Sequence, residues 1–152
     1  MPSPKPADAI SLLKADHRKV EGLFEQFAKA KDNARKQKLA QEICTELTVH
    51  ATIEEEIFYP AAREAEVEED LLDEAEVEHA SAKDLIAQIQ SMSPDDELYD
   101  AKVTVLGEYV DHHVQEEEGE MFPKCRRAKM DLAGLAEQLA ERKSELMAEE
   151  PA

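Results

Sequence analysis

One sequence motif occurs twice in the chain, at residues 50–60 and 113–123. Both copies fit the pattern H-x3-E-E-x3-[YF]-P without a gap. The matched pairs are His50 and His113, Glu54 and Glu117, Glu55 and Glu118, Tyr59 and Phe122, and Pro60 and Pro123. Within each copy the histidine and the first glutamate are four residues apart, so a helix presents both on one face. The repeat therefore predicts a fold in which two helices offer the same His/Glu pair.

A further histidine precedes each copy at nearly the same distance. His17 lies 33 residues before His50, and His79 lies 34 residues before His113. The chain thus reads as a helix with a histidine followed by a helix with HxxxE, twice over. An antiparallel bundle built in this order has an approximate two-fold axis through its middle.

Apolar residues recur at steps of three, four and seven along most of the chain, which predicts an all-α protein. Only four Gly and no Trp occur, a composition that suits helices better than a sheet. We expect helices over about residues 7–31, 34–64, 69–92, 95–127 and 131–148. Pro60 is expected to kink or end the second helix, and Pro94 to open the fourth. Four long helices with short connections favour an antiparallel four-helix bundle with an additional short C-terminal helix.

The histidines and the first glutamate of each copy fall on the apolar stripes of their helices. His17 follows Leu13 and precedes Val20, for example, and His50 and Glu54 lie between Leu47 and Ile57. Four imidazoles and two carboxylates are therefore expected to point inward. A buried, unpaired carboxylate loses several kcal/mol of solvation, and two of them facing each other also repel. A pair of cations removes both problems, and imidazole with carboxylate suits iron, manganese or zinc.

Length and charge narrow the possible partners and the organisation of the chain. The 152 residues fit one domain, and the net charge of −18 disfavours nucleic acid and anionic membranes. We expect a disordered lead over residues 1–6, the bundle over 7–128 and the C-terminal helix packing on it over 129–152. Cys44 and Cys125 form no CxxC pair, and no apolar run spans a bilayer, which favours a cytoplasmic protein with reduced thiols.

Together these motifs resemble the hemerythrin HHE cation-binding family. The resemblance rests on Asp16-His17-Arg18, Glu78-His79 and the two H-x3-E-E-x3-[YF]-P segments, and it runs from His17 to Pro123. It implies a four-helix bundle around two non-haem iron ions joined by an oxo or hydroxo bridge, with manganese or zinc as the less favoured metals. It also implies terminal ligands His17, His50, His79 and His113, with Glu54 and Glu117 bridging the ions.

The sequence departs from the oxygen carriers that this family resembles. Those carriers have HxxxH in the third helix, whereas the residues four before and four after His79 are Ala75 and Lys83. They also have an Asp five residues after the fourth-helix histidine, whereas Glu117 follows His113 by four. A five-histidine site cannot be built here, which argues against reversible oxygen transport. Glu21, four residues after His17, is a possible additional ligand that would make the two metal positions unequal.

Several neighbouring residues have simpler interpretations. Glu55 and Glu118 lie one step off the inward stripe and are expected to hold a ligand histidine or to face solvent. His112 points about 100° away from its neighbour His113 and is read as a surface residue. Packing is favoured over metal contact for Tyr109, and Tyr59 is read as core.

Three functions fit these features. The first is a di-iron protein that binds or senses oxygen, nitric oxide or peroxide, or buffers iron under oxidative stress. The second is a catalase-like or peroxidase-like enzyme that acts on hydrogen peroxide. The third is a bundle that zinc or iron only stabilises. The sequence offers no dedicated proton donor, which places the enzyme second. A protein partner or a homodimer is possible.

Overall fold

A computed structural model describes residues 8–149 of the chain, and this part is helical without a strand. The prediction of an all-α protein is therefore confirmed, while the expected disordered lead over residues 1–6 lies outside the described residues. The helices are α1 (Ala9–Lys29), α2 (Asn33–Ile53), α3 (Tyr59–Glu64), α4 (Glu69–Gln90), α5 (Tyr99–Glu116), α6 (Phe122–Arg127) and α7 (Leu132–Glu149). Two π-helical turns, π1 (Glu54–Phe58) and π2 (Glu117–Met121), join α2 to α3 and α5 to α6.

Aspartate side chains begin the first two helices. The Asp8 carboxylate accepts a hydrogen bond from the backbone N–H of Ser11, and that of Asp32 accepts one from Arg35. Such caps satisfy amide groups that have no partner inside the helix. Only three residues separate the end of α1 from the start of α2, and a connection this short makes the two helices antiparallel.

Each of the two prolines of the repeat follows a π turn, with one residue between them. Pro60 does not end the second helix, because the chain stays helical from Asn33 to Glu64, close to the expected bounds. The backbone N–H of Tyr59 reaches back five residues to the Glu54 carbonyl, and Phe122 does the same to Glu117. A π turn is wider than an α turn, so it accommodates a proline that has no N–H and would otherwise clash with the preceding turn.

The fourth long helix begins later than expected. Residues 93–98 form turns, and α5 starts at Tyr99 rather than near residue 95. The Asp96 carboxylate accepts from the backbone N–H of Ser93, and the Asp96 N–H donates to the Ser93 carbonyl. These local bonds compete with helix formation, as is usual for Ser and Asp next to a proline.

The long helices form a ring in which α1 contacts α2 and α5, and α4 contacts α2 and α5. Two apolar clusters fill it. One contains Leu13, Phe58 and Phe122, and the other contains Leu23, Ile43 and Leu106. Along α1 the first cluster ends and the second begins on either side of His17, so the histidine layer lies between them.

The C-terminal helix α7 packs on the bundle of its own chain. It contacts α1, α2 and π1, and its Leu135 and Leu139 belong to the same apolar cluster as Leu13. No helix within residues 8–149 is long and apolar enough to cross a membrane.

Candidate metal centre

The structure brings the six predicted ligand side chains together at mid-height of the bundle. His17, His50, His79 and His113 come from α1, α2, α4 and α5, while Glu54 and Glu117 are the first residues of π1 and π2. The rings of His17 and His50 have centroids 4.9 Å apart at 61°, and those of His79 and His113 show the same two values. The sequence repeat therefore becomes an approximate two-fold symmetry of the site.

The ligand atoms form two groups. We call His17, His50 and Glu117 the first metal position, and Glu54, His79 and His113 the second; within each group one ligand atom per residue lies within 4.8 Å of the others.

Each carboxylate also contacts both metal positions. Glu117 Oε1 lies 3.1 Å from His17 Nε2, and Glu117 Oε2 lies 3.2 Å from His113 Nε2. Glu54 Oε1 lies 3.2 Å from both His50 Nε2 and His79 Nε2. Two carboxylates that each reach two positions are what a pair of bridged ions requires.

The donor atoms fit metal ions better than they fit one another. Among the described residues, the buried side-chain N and O atoms without a hydrogen-bond partner all belong to the six: His17 Nε2, His50 Nε2, Glu54 Oε1, Glu54 Oε2 and Glu117 Oε1. Such groups are costly to bury unsatisfied. Two neighbouring ligands that are each about 2.1 Å from one ion are about 3 Å apart, close to the observed separations. The six residues can therefore hold two cations.

A carboxylate holds the other nitrogen of every histidine. Nδ1 lies 2.6 Å from Glu118 Oε2 in His17, 2.9 Å from Asp16 Oδ2 in His50, 2.8 Å from Glu55 Oε2 in His79 and 2.6 Å from Glu78 Oε1 in His113. Each Nδ1–H donates to its carboxylate, which leaves Nε2 free to face the metal position. Glu55 and Glu118 thus lie outside the ligand set and orient histidines.

A basic side chain lies behind each of these four carboxylates. Lys143 Nζ is 2.5 Å from Asp16 Oδ1, and Lys83 Nζ is 2.8 Å from Glu55 Oε1. Arg18 donates to Glu118, and His112 Nε2 lies 3.7 Å from Glu78 Oε2. Burial alone would raise the pKa of Asp16, but hydrogen bonds from His50 and Lys143 hold that pKa below its usual range. The carboxylate therefore stays ionised beside its histidine.

Tyr59 is a functional candidate that the sequence interpretation assigned to the core. Its hydroxyl donates to Glu117 Oε2 at 2.6 Å and lies 3.3 Å from His79 Nε2 and 3.4 Å from His113 Nε2. Its oxygen is thus as close to the second metal position as the ligands are to one another. Burial and the charges of Glu117 and Glu54 raise the Tyr59 pKa well above its ordinary value, so the metal-free phenol keeps its proton.

The equivalent residue of the second copy is Phe122, which stacks on His17 at a centroid distance of 6.1 Å. The hydroxyl therefore distinguishes the second metal position from the first. The signal was present in the repeat, where [YF] was the variable position.

Replacing Tyr59 with Phe is expected to make the two metal positions more alike. The ring still fills its place in the core, and only the oxygen next to the second position is lost. We expect the affinity for one of two ions to fall roughly tenfold, within the range for residues that support a metal site. Competition with a chelating dye measures both affinities. Unchanged affinities would show that Tyr59 only packs.

Three other candidates lie away from the ligand atoms. Glu21, the possible additional ligand, is not part of the site: its side chain is 41% exposed and pairs with Arg18 at 3.3 Å. The inward residue of that turn is Val20, three residues after His17, and one further step carries Glu21 toward solvent. Tyr109 is 49% exposed. His112 is also exposed and pairs with Glu116 at 3.2 Å, as expected of a surface residue.

The two thiols have no part in the site. Cys44 and Cys125 are free and buried. Burial raises the pKa of Cys44 to about 11, and burial together with the Glu117 charge raises that of Cys125 to about 12. Both thiols stay protonated at neutral pH and are therefore poor metal ligands.

A cavity of about 50 Å³ adjoins the histidine rings. All four ligand histidines line it, together with apolar side chains from the surrounding helices: Val20, Leu47, Ala82, Ile86, Val110 and Val114. Tyr109 and Lys83 lie at its wall. A space of this size admits a few waters or a diatomic molecule.

In the metal-free protein, stability should decrease as the solution becomes alkaline. Burial would lower the pKa of His50, but the Glu54 charge and the Asp16 hydrogen bond raise it to about 10. Because the folded value exceeds the unfolded value, this stabilisation is complete below about pH 6.5 and is lost as the pH rises toward 10. We expect the free energy of unfolding to fall on the order of 1 kcal/mol per pH unit above neutrality.

Urea denaturation in the presence of a chelator at several pH values measures this slope. The metal-loaded protein should show a smaller slope, because the ion replaces the proton on Nε2. A flat profile for the metal-free protein would contradict the proposed charge on His50.

Comparison with known proteins agrees with this geometry. The family model of the hemerythrin HHE cation-binding domain matches residues 8–125. A protein of Nostoc sp. (strain PCC 7120 / SAG 25.82 / UTEX 2576) named DNA nickase is 33% identical over 115 residues, which are 76% of this chain and 32% of that protein. The chain thus spans about a third of the length of this relative.

Among solved structures, a hemerythrin HHE cation-binding domain-containing protein from Mycobacterium kansasii superimposes with a TM-score of 0.80 at 25% identity. The match covers 93% of this chain and 88% of that one. The fold, the paired His/Glu positions and the matched family model lead to one conclusion: the chain belongs to the hemerythrin HHE cation-binding domain family.

Proposed function

We propose that this protein is a non-haem di-iron protein that binds oxygen, nitric oxide or hydrogen peroxide at its metal centre. Imidazole and carboxylate, with a phenol nearby, form a donor set that suits iron. Two bound irons would supply an open coordination position and electrons for a small oxidant. The residues of the chain hold the ions, exclude bulk water and limit what can approach.

The observation that carries this proposal is the cavity beside the four histidines. Its volume of about 50 Å³ suits a diatomic molecule or peroxide better than a larger organic substrate. Apolar side chains such as Ile86 and Val110 line it, so a small, weakly hydrated ligand is favoured over bulk water. A purely structural metal would need no such space.

The inequality of the two positions supports binding at one ion. Tyr59 lies next to the second metal position, whereas the corresponding ring beside the first position, Phe122, offers no oxygen. A phenol ligand at the second ion would leave the first as the open one. The sequence analysis attributed an inequality of the two metal positions to Glu21, whereas here Tyr59 provides it.

Turnover of hydrogen peroxide is the second candidate, and Tyr59 also supports it. The sequence offered no proton donor, but the buried Tyr59 hydroxyl, hydrogen-bonded to Glu117, can hold and return a proton inside the site. Disproportionation converts two molecules of peroxide into two of water and one of oxygen. The two candidates differ in whether the ligand is released unchanged.

The test uses protein loaded with ferrous iron under anaerobic conditions. Visible spectra are recorded after addition of oxygen, nitric oxide or peroxide, and an oxygen electrode follows peroxide decay. A stable adduct supports binding, and steady oxygen release supports turnover. Iron uptake without either result would leave iron buffering, and the absence of iron uptake would contradict the proposal.

A cavity-filling variant gives a matched control. Ala82→Leu places a larger side chain in the cavity wall, whereas Ala87→Leu adds the same bulk to an exposed position of the same helix. We expect both variants to keep their iron and only Ala82→Leu to lose the adduct.

The name DNA nickase belongs to a much longer relative, and we propose that this domain does not itself contact DNA. A chain with a net charge of −18 repels phosphate backbones.

The buried, free thiols accord with the reducing cytoplasm that the sequence predicts.

A further inference from the structure

Asp16, the carboxylate that accepts from His50, differs from the other three histidine-bound carboxylates in the element that supplies its basic partner. Asp16 is buried at 5% exposure, and its Oδ2 accepts from His50 Nδ1 at 2.9 Å. Its other oxygen, Oδ1, accepts from Lys143 Nζ at 2.5 Å. Lys143 belongs to α7, which lies beyond the residues 8–125 that match the family. A helix outside the repeated unit thus reaches a metal-facing histidine through one intervening residue.

A second bond fixes the same part of α7. The neighbouring Arg142 donates from Nε to Glu56 Oε1 at 2.9 Å, and its Nη2 lies 3.4 Å from Glu56 Oε2. Glu56 lies in π1, the turn that begins with the bridging residue Glu54. Two consecutive cations of α7 therefore contact Asp16, which accepts from His50, and the turn that carries Glu54.

The approximate two-fold symmetry of the site shows that this arrangement belongs to one half. In the second copy Gly119 takes the place of Glu56 and offers no carboxylate to an arginine. Glu78 takes the place of Asp16, and the exposed imidazole of His112 lies 3.7 Å from it. The support from α7 thus acts on the first copy of the repeat.

We propose that α7 is a working part of the metal centre, in which Lys143 is a positioning residue that fixes His50 through Asp16. This inference rests on the proposed binding of metal by the six His/Glu residues. Without Lys143, a buried Asp16 oxygen has lost its charged partner, and such a carboxylate is driven toward water. His50 then loses the acceptor that sets the direction of its Nε2.

The direction of the effect separates positioning from simple charge. Removal of a positive charge near a cation site would by itself strengthen cation binding. Positioning predicts the opposite, namely weaker binding at the first metal position. A support lost directly from a ligand costs about 10–100-fold in affinity, so Lys143→Met, one residue further out, should cost about three- to tenfold.

The experiment titrates the full-length, metal-free chain with cobalt(II) against a chelating dye and records the cobalt absorption bands. Lys143→Met is expected to weaken one of two cobalt ions and to shift the bands of that ion. Lys143→Arg keeps the charge and should restore binding. Lys124→Met removes a lysine that pairs with Glu68, away from the histidines, and should match the unmodified protein.

A double-mutant cycle tests whether Asp16 transmits the effect. Asp16→Asn should weaken the same ion, and adding Lys143→Met to it should cause no further loss. Wild-type affinities and bands in Lys143→Met, tighter binding, or additive losses in the cycle would each overturn the role of Lys143 while leaving the metal centre intact. If the unmodified chain takes up no metal at all, the proposed function falls and this inference falls with it.

Discussion

The His50→Ala/His113→Ala variant is expected to lose both metal ions. It removes one imidazole from each metal position and leaves the bridging carboxylates in place. Four-ligand metal sites are worth about 10–16 kcal/mol, or on the order of 3 kcal/mol per ligand. Each position should therefore bind more than a hundredfold more weakly. Mass spectrometry of the metal content and cobalt titration both measure this loss.

The matched control for this variant is His112→Ala. It removes the adjacent imidazole on α5, whose side chain is 67% exposed. We expect it to retain both ions, because the exposed His112 lies 3.7 Å from Glu78 and Glu78 keeps its 2.6 Å contact with His113. Equal metal content in the two variants would show that the ions lie elsewhere.

Replacing Glu54 with Leu should have opposite effects on metal binding and on metal-free stability. Glu54 is fully buried, and neither of its oxygens has a hydrogen-bond partner among the described residues. Leucine removes this desolvated carboxylate at similar volume. Exchange of a buried charged group for an apolar one can stabilise a protein by about 1–4 kcal/mol when no charged partner is left behind. The comparison is therefore made above about pH 10, where His50 has lost the charge that Glu54 stabilises. We therefore expect a higher urea midpoint for the metal-free variant, together with the loss of bridged metal binding.

Glu117→Leu is the comparison within the same site. Glu117 accepts the Tyr59 hydroxyl at 2.6 Å, so its removal leaves that buried donor without a partner. We expect a smaller gain in metal-free stability than for Glu54→Leu. If Glu54→Leu destabilised the metal-free protein more than Glu117→Leu, the buried Glu54 carboxylate would be stabilised by its surroundings even without metal. That result would contradict the proposed metal site.

The sequence alone was sufficient to name the histidines and glutamates that meet in the site. His17 and the other three histidines occupy positions on the apolar stripes of their helices, so helix geometry alone directs them inward. The doubled motif then implies that the two halves face each other. The ends of the helices were predicted less accurately. Ser93 and Asp96 form local hydrogen bonds, and α5 therefore begins further along the chain than expected.

Residues that act through tertiary contacts could not be found in this way. Asp16 supports His50 across 34 positions of sequence, and Lys143 supports Asp16 across 127. Neither distance follows from the period of a helix. Tyr59 was misread because an aromatic residue on an inward face is compatible with plain packing, and only the position of its hydroxyl shows otherwise. The π turns depend on how the bundle accommodates the two prolines.

The most direct test of the central claim is the metal content of the protein purified from iron-supplemented cells, with His50→Ala/His113→Ala prepared in parallel. The proposed di-iron centre predicts about two irons per chain in the unmodified protein and none in the variant. One zinc per chain, or a folded protein without metal, would contradict it.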